Sequence, residues 1–269
     1  MSGDVLLSDQ GGTASRLITA LATLTAQLTP GTFAVVGGLA VMARLRTVHR
    51  STDDIDGVSQ QIGDDPSEVA IVLGVSGRTG VRRAVAGVAV DHIDVGDTPA
   101  ILIPVADLPT DEWDRAFVLA HRWGLDAASS VTIRAISAQV TTAAVTCLAA
   151  SPASLVTMKL QSAPRRPPAR VDKAANDYAD LYRLLSNVEL LPEIAVDLAT
   201  GAPHDLGSWA LRQIRAVFIE RADNTARAAR RSGLAEPPTA TDVEAAGTAL
   251  IGRVETAGTE RAIDLHGDS

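Results

Sequence analysis

Residues 49–57 read HRSTDDIDG, with Asp53, Asp54 and Asp56 crowded together. Carboxylates this close repel one another unless water or a cation shields them. In extended backbone, residues two apart share a face. Asp54 and Asp56 would then stand side by side, and Asp53 would point away. A hard divalent cation such as Mg2+ is commonly held by a few carboxylates together with substrate phosphates. Such an ion can activate an attacking oxygen and neutralise a leaving pyrophosphate. Arg50 and Thr52 alternate with the two aspartates on the same face. A guanidinium can fork onto phosphate, and the threonine hydroxyl can hydrogen-bond it. Taken alone, D-x-D is weak and reads better as a solvated acidic turn.

The elements around these residues set the odds. Thr13–Leu28 places Leu17, Leu21, Leu24 and Leu28 on one helical face, and Pro30-Gly31 ends it. Thr32–Val36 is β-branched and aromatic, which predicts a buried strand. It runs directly into Gly37-Gly38, and Leu39–Arg46 reads as a helix. A strand, a double glycine and a helix make a place where backbone can approach a ligand closely. A second strand is expected around Ile55–Val58, a short helix at Pro66–Leu73 and a third strand at Gly87–Val95. Asp111–Trp123 looks helical, and Ser130–Ile136 looks extended. This alternation implies a mixed α/β (α+β) N-terminal domain with a small mixed sheet. After Ala150 the chain turns mainly helical. Ser151-Pro152 starts one helix, "PRRPPAR" is a loop, and "DKAANDYADLYRLL" is amphipathic. Residues 205–233 and 239–256 are two further helical segments. The expected domains are 1–137 and 138–269.

Composition narrows the function classes. The chain has 269 residues, 46% hydrophobic and only 3% aromatic, so the core must be aliphatic. A net charge of −8 excludes a protein that coats nucleic acid nonspecifically. Any nucleic-acid contact must be a local patch, and Arg165, Arg166, Arg170 and Lys173 form a cationic loop that fits this. The single cysteine, Cys147, excludes an intramolecular disulfide and fits a reducing compartment. The N-terminus MSGDVLLSDQ is not a secretory signal. The apolar runs Phe33–Leu45 and Val140–Met158 are too short or too broken to span a membrane. A cytoplasmic protein with no membrane partner is therefore expected. The five histidines show no zinc spacing, and no serine sits in G-x-S-x-G.

"VVGGLA" followed by "STDDIDG" resembles the minimal nucleotidyltransferases of the polymerase-β type. Their signature is a Gly-Gly or Gly-Ser turn, then D-x-D or D-x-E on the next strand. The resemblance implies a third carboxylate on a later strand, within Val88–Val95. Asp91 fits the expected V-D-hydrophobic pattern better than Asp94, which lies on the opposite face. Further on, "SPASLVTMKLQSAPRRPPARVDKAANDYADLYRLL" is similar to the distal signature of the AbiE-type toxin nucleotidyltransferases, which include the MenT-like toxins. Lys159 matches their lysine in M-K-L. Asp177 and Asp180 match their D-x-x-D, with Leu181 following.

The resemblance covers scattered blocks in residues 32–185 and implies the following. Asp54, Asp56 and Asp91 hold Mg2+. Gly37, Gly38, Arg50 and Thr52 contact the nucleotide. Lys159 meets the triphosphate of an NTP substrate, and Asp177 holds Lys159 or prepares the acceptor hydroxyl. The reaction transfers an NMP to that hydroxyl, with tRNA as acceptor and a cognate antitoxin protein as partner. The residues taken singly have plainer readings: Asp177 pairing with Lys173 on a helix surface, and Lys159 as a surface lysine that snorkels. Two rival functions share the metal motif or the fold. One is an aminoglycoside-type antibiotic nucleotidyltransferase. The other is a catalytically inactive relative that binds a protein partner.

Overall fold

The computed structural model describes residues 4–9, 12–47, 52–63, 65–74 and 83–267. The architecture is mixed α/β. The strands are β1 (Asp4–Ser8), β2 (Phe33–Val36), β3 (Asp54–Gln60), β4 (Arg83–Val85), β5 (Val88–Val95), β6 (Ser129–Ser137) and β7 (Val140–Ala149). They form one seven-stranded sheet in the order β1-β6-β7-β2-β3-β5-β4. Three pairs are parallel, β1 with β6, β7 with β2 and β3 with β5; the other three are antiparallel.

The chain divides into two compact units. The first comprises 1–107 and 121–155, the second 108–120 and 156–269. The sheet continues through β7, so both strands of the β6/β7 hairpin belong to the first unit.

The first unit carries α1 (Thr13–Thr25), α2 (Gly37–Leu45) and α3 (Glu68–Val72). Leu17, Ile18, Leu21 and Leu24 are the buried stripe of α1, as its 3.6-residue periodicity requires. With so few aromatics the core is aliphatic: Val35, Leu39, Met42, Ile55 and Ile133 are almost fully buried. Each such side chain contributes about 1.5–3 kcal/mol by leaving water. β2 is buried on both faces. Its direct run into α2 is anchored at the far end by Arg44. That guanidinium donates to the carbonyls of Ala150 (2.8 Å), Ser129 (3.4 Å) and Ala149, satisfying acceptors at the ends of β6 and β7.

Two further helices, α4 (Glu112–Asp126) and α5 (Pro152–Ser162), contain two of the three chain positions at which the units divide. The second unit is helical, with α6 (Val171–Ser186), α7 (Leu191–Val196), α8 (Leu206–Ile214), α9 (Ala222–Arg230) and α10 (Ala240–Gly267). Its core includes Leu181, Leu184, Ile194, Trp209, Ile214, Phe218 and Leu250. Gly247 lets α10 lie close to Phe218, whose Cβ would stand 2.7 Å from a Cβ at that position. Among the described residues, no helix is long and apolar enough to cross a membrane.

Candidate functional site

In the first unit the site is assembled by register. Asp54 and Asp56 lie two apart on β3 and project from one face. Asp56 pairs with Asp91 across the parallel β3/β5 ladder, which brings Asp91 onto that face. One ligand oxygen from each of Asp54, Asp56 and Asp91 lies within 4.8 Å of the others, and all three residues are half-buried. Thr52 borders the group, its hydroxyl donating to Asp54 Oδ1 at 3.2 Å.

Gly37 completes the arrangement. β2 pairs with β3 so that Val36 faces Asp56, and the next residue, Gly37, opens α2. Gly37 has φ +63°, a left-handed conformation that costs glycine nothing. A Cβ there would stand 2.7 Å from Asp56 Cβ and overlap its carboxylate. The missing side chain is therefore the space that Asp56 occupies. The same contact sets the N-terminus of the nine-residue α2 beside the carboxylates. Gly38, the second residue of α2, is buried. A helix start offers unsatisfied N–H groups and the positive end of the dipole, both suited to phosphate. Three carboxylates as an oxygen-only donor set fit a hard divalent cation and do not suit one that prefers nitrogen or sulfur.

Asp94 takes no part in this group. It lies on the opposite face of β5, where its carboxylate accepts from Ser59 Oγ (2.7 Å) and Ser67 Oγ (2.5 Å). His92 Nε2 stands 3.4 Å away. Burial pushes His92 below the ordinary imidazole range, with Asp94 and Asp91 pulling the other way. This second cluster packs α3 onto the sheet and explains why β5 carries two aspartates of different use. Arg50 lies outside the described residues.

In the second unit, Lys159 and Asp177 meet in the interior. Lys159 Nζ lies 2.5 Å from Asp177 Oδ1 and 2.9 Å from Asp180 Oδ2. Asp177 Oδ2 also accepts from Arg166 Nε at 2.9 Å and Ser162 Oγ at 3.2 Å. Lys159 is 7% exposed, Asp177 3% and Asp180 0%. The surface readings of Lys159 and Asp177 do not hold, because both side chains lie inside a shared ionic network. Asp180, to which the D-x-x-D resemblance assigns no role, joins the network because its i+3 spacing from Asp177 puts both on one face of α6.

The cationic loop is not uniformly solvent-facing. Arg166 serves Asp177. Arg165 lies 3.3 Å from Asp114 and over the Trp113 ring, 5.7 Å from its centroid. Cys147 is buried, which pushes its thiol up to about 12 and removes it as a nucleophile at neutral pH.

No protein-family model, curated protein or solved structure matches the chain.

Proposed function

We propose that the chain is a metal-dependent nucleotidyltransferase that moves an NMP from an NTP to an acceptor hydroxyl, with tRNA as the acceptor. The observation that carries this reading is the convergence of Asp54, Asp56 and Asp91 beside the N-terminus of α2. A bound divalent cation such as Mg2+ would supply charge neutralisation on the phosphates during transfer. The chain's own residues do the rest. Asp54, Asp56 and Asp91 would hold the cation. The start of α2 at Gly37 and Gly38 would receive phosphate through its unsatisfied N–H groups and the positive end of its dipole. Thr52 fixes the Asp54 carboxylate. Phosphoryl transfer depends chiefly on positioning and electrostatic stabilisation, which this donor set is suited to provide.

Lys159 belongs to the second unit, where its donors serve Asp177 and Asp180. Its proposed role is a fixed positive charge whose orientation those two carboxylates set, in keeping with the AbiE-type toxins that the sequence resembles. A role as the toxin of a toxin–antitoxin pair, with a cognate antitoxin protein, belongs to the same proposal. The net charge of −8 favours a second reading, transfer to a cationic small molecule such as an aminoglycoside.

The test is incubation of purified protein with each α-labelled NTP, Mg2+ and total RNA, with an aminoglycoside in a parallel arm. Label in the tRNA band is expected. Label on the aminoglycoside alone would replace the acceptor, and no label in either arm would sink the transferase reading.

A further inference from the structure

An RNA acceptor must be held by a protein whose net charge is −8. The cations of the 165–173 loop are poorly placed to do it, since Arg165 and Arg166 are engaged with Asp114 and Asp177. A denser basic stretch lies further along the second unit. Between residues 212 and 231 stand Arg212, Arg215, Arg221, Arg227, Arg230 and Arg231, against only Glu220 and Asp223. All six arginines are exposed.

They fall into two sets. Arg212 pairs with Glu112 at 3.1 Å, and Arg215 pairs with Glu255 at 3.0 Å. Arg221, Arg227, Arg230 and Arg231 form no ion pair among the described residues, although the chain carries 32 carboxylates. Even Asp223, one turn before Arg227, makes none. Arg230 has only a long hydrogen bond, 3.4 Å to the Pro238 carbonyl. Arg227, Arg230 and Arg231 are spaced i, i+3, i+4, so they are neighbours on one face at the end of α9. Arg221 opens the same helix, close enough to Tyr178 to oppose the rise that burial imposes on that hydroxyl. The buried side of α9 is fixed by Ala229, which packs with Ala179, Leu234 and Tyr178. The arginines thus project from an anchored helix next to α6, which carries Asp177 and Asp180.

We propose that the exposed arginine face of α9, comprising Arg227, Arg230 and Arg231, binds the phosphate backbone of the RNA acceptor. It deepens the tRNA-acceptor reading by naming where the acceptor is held. The guanidinium fork suits phosphate oxygens bidentately, and a cationic stripe on an otherwise acidic chain gives the local patch that such a partner requires. The contact is to backbone, so the face carries affinity and orientation without base specificity.

The test is binding of an unfractionated tRNA pool to the full chain at several salt concentrations. Each phosphate contact contributes roughly 0.7–0.9 to the slope of log affinity against log salt. Replacing Arg227, Arg230 and Arg231 together by Gln should lower the slope by about two to three and weaken binding at least about tenfold at low salt. The triple Lys variant should restore both, because it restores the charge. Arg212→Gln with Arg215→Gln should leave the slope unchanged, since those guanidiniums are already paired. If the triple Gln variant does not fold, Arg227→Gln and Arg231→Gln singly should each lower the slope by about one. No tRNA binding by the wild type, or an unchanged slope in the variants, overturns the proposal. Equal binding of poly-glutamate, lost in the same variants, overturns it in favour of an acidic protein partner. Labelled NMP transfer, read on the same wild-type protein, separates the two readings. Transfer without tRNA binding would leave the transferase standing and remove this face, and tRNA binding with the altered slopes but no transfer would do the reverse.

Discussion

A methyl group at Gly37 probes the carboxylate cluster on the scale of a single atom. Gly37→Ala adds a Cβ where Asp56 stands and asks a residue with a side chain to keep φ +63°. The strain should cost about 1–3 kcal/mol. More tellingly, it should displace Asp56 and abolish divalent binding, as should Asp56→Asn without backbone strain. Calorimetric titration with Mn2+ and thermal unfolding of both variants check this; wild-type Mn2+ affinity in Gly37→Ala would break the link between the glycine and the site. The buried network in the second unit bears on stability instead. Lys159→Met leaves Asp177 and Asp180 buried without the ammonium that both contact. Breaking a buried pair by removing one partner costs about 3–5 kcal/mol. Adding Asp180→Asn should recover part of that, because Asp177 keeps Arg166 and Ser162. Urea unfolding of the single and double variants reads the difference, and a cost below about 1 kcal/mol for Lys159→Met would show that the pair is far more solvated than its burial implies. Much of this was legible in the residues. D-x-D spacing placed Asp54 with Asp56, and period two separated Asp91 from Asp94. The choice between those two faces came only from the family resemblance, because the physical reason for it, the β3/β5 register that sets Asp91 opposite Asp56, is not local to either strand.

Two carboxylates tie elements of the first unit together and give it an acid dependence. Asp9 follows β1, accepts from the Ser15 backbone N–H at 3.0 Å and from the Ser15 hydroxyl in α1, and also accepts from Thr142 Oγ1 of β7 at 3.1 Å. Glu68 in α3 accepts from Thr29 N and Thr29 Oγ1, each at 2.6 Å, and from Thr32 Oγ1 at 3.1 Å. These hydrogen bonds favour the ionised forms, led by the side-chain bonds from Ser15 and Thr29 respectively, and hold both groups below their ordinary values. Between the lowered folded values and the ordinary unfolded ones, the unfolded chain binds more protons, so stability rises with pH there. Both contributions are therefore present above the ordinary values of 3.8 and 4.5 and are lost as pH falls through the folded values. Asp9→Asn and Glu68→Gln should each flatten the fall in melting temperature on acidification below about pH 4.5; slopes identical to wild type would show that these bonds do not persist in solution. At this scale the sequence was most readable where signals were local. The β2–Gly-Gly–α2–β3 order, the helix near Glu68 and the strand at β5 all carry local patterns. β7 was not legible. The β6/β7 hairpin turns through Ala138 and Gln139, both at positive φ, without the Asn or Gly that marks such turns. Lacking that signal, the run from Val140 reads in the sequence as an undivided apolar stretch. β1 escaped for another reason: five residues become a strand by pairing with β6, which lies far along the chain.

For the molecule as a whole, charge decides how the site and its surroundings must be told apart. The chain has 32 carboxylates against 24 basic residues and a pI near 5.1. Any salt reduces the self-repulsion of such a chain at neutral pH, so stabilisation by a divalent salt is not in itself a sign of a binding site. A specific site differs in its dependence on concentration and in its loss with a single ligand. A ligand bound only by the folded state stabilises by RT ln(1 + [L]/Kd), about 2.7 kcal/mol at one hundred times Kd. For a chain of this size each kcal/mol moves the melting temperature by roughly 2–4 °C. Mn2+ should therefore raise it by roughly 5–10 °C at that concentration, rising linearly below Kd and logarithmically above it. NaCl at matched ionic strength should give a smaller, featureless rise. Asp56→Asn removes one carboxylate of the chain's 32, which barely alters the overall charge. If the site at β3 and β5 is responsible, that one change should reduce the Mn2+ effect to the NaCl effect. The Asp9→Asn variant, with the same change in net charge but no place in the cluster, should keep the full Mn2+ response. Equal responses in the two variants would assign the stabilisation to general screening and leave Asp54, Asp56 and Asp91 as an acidic patch.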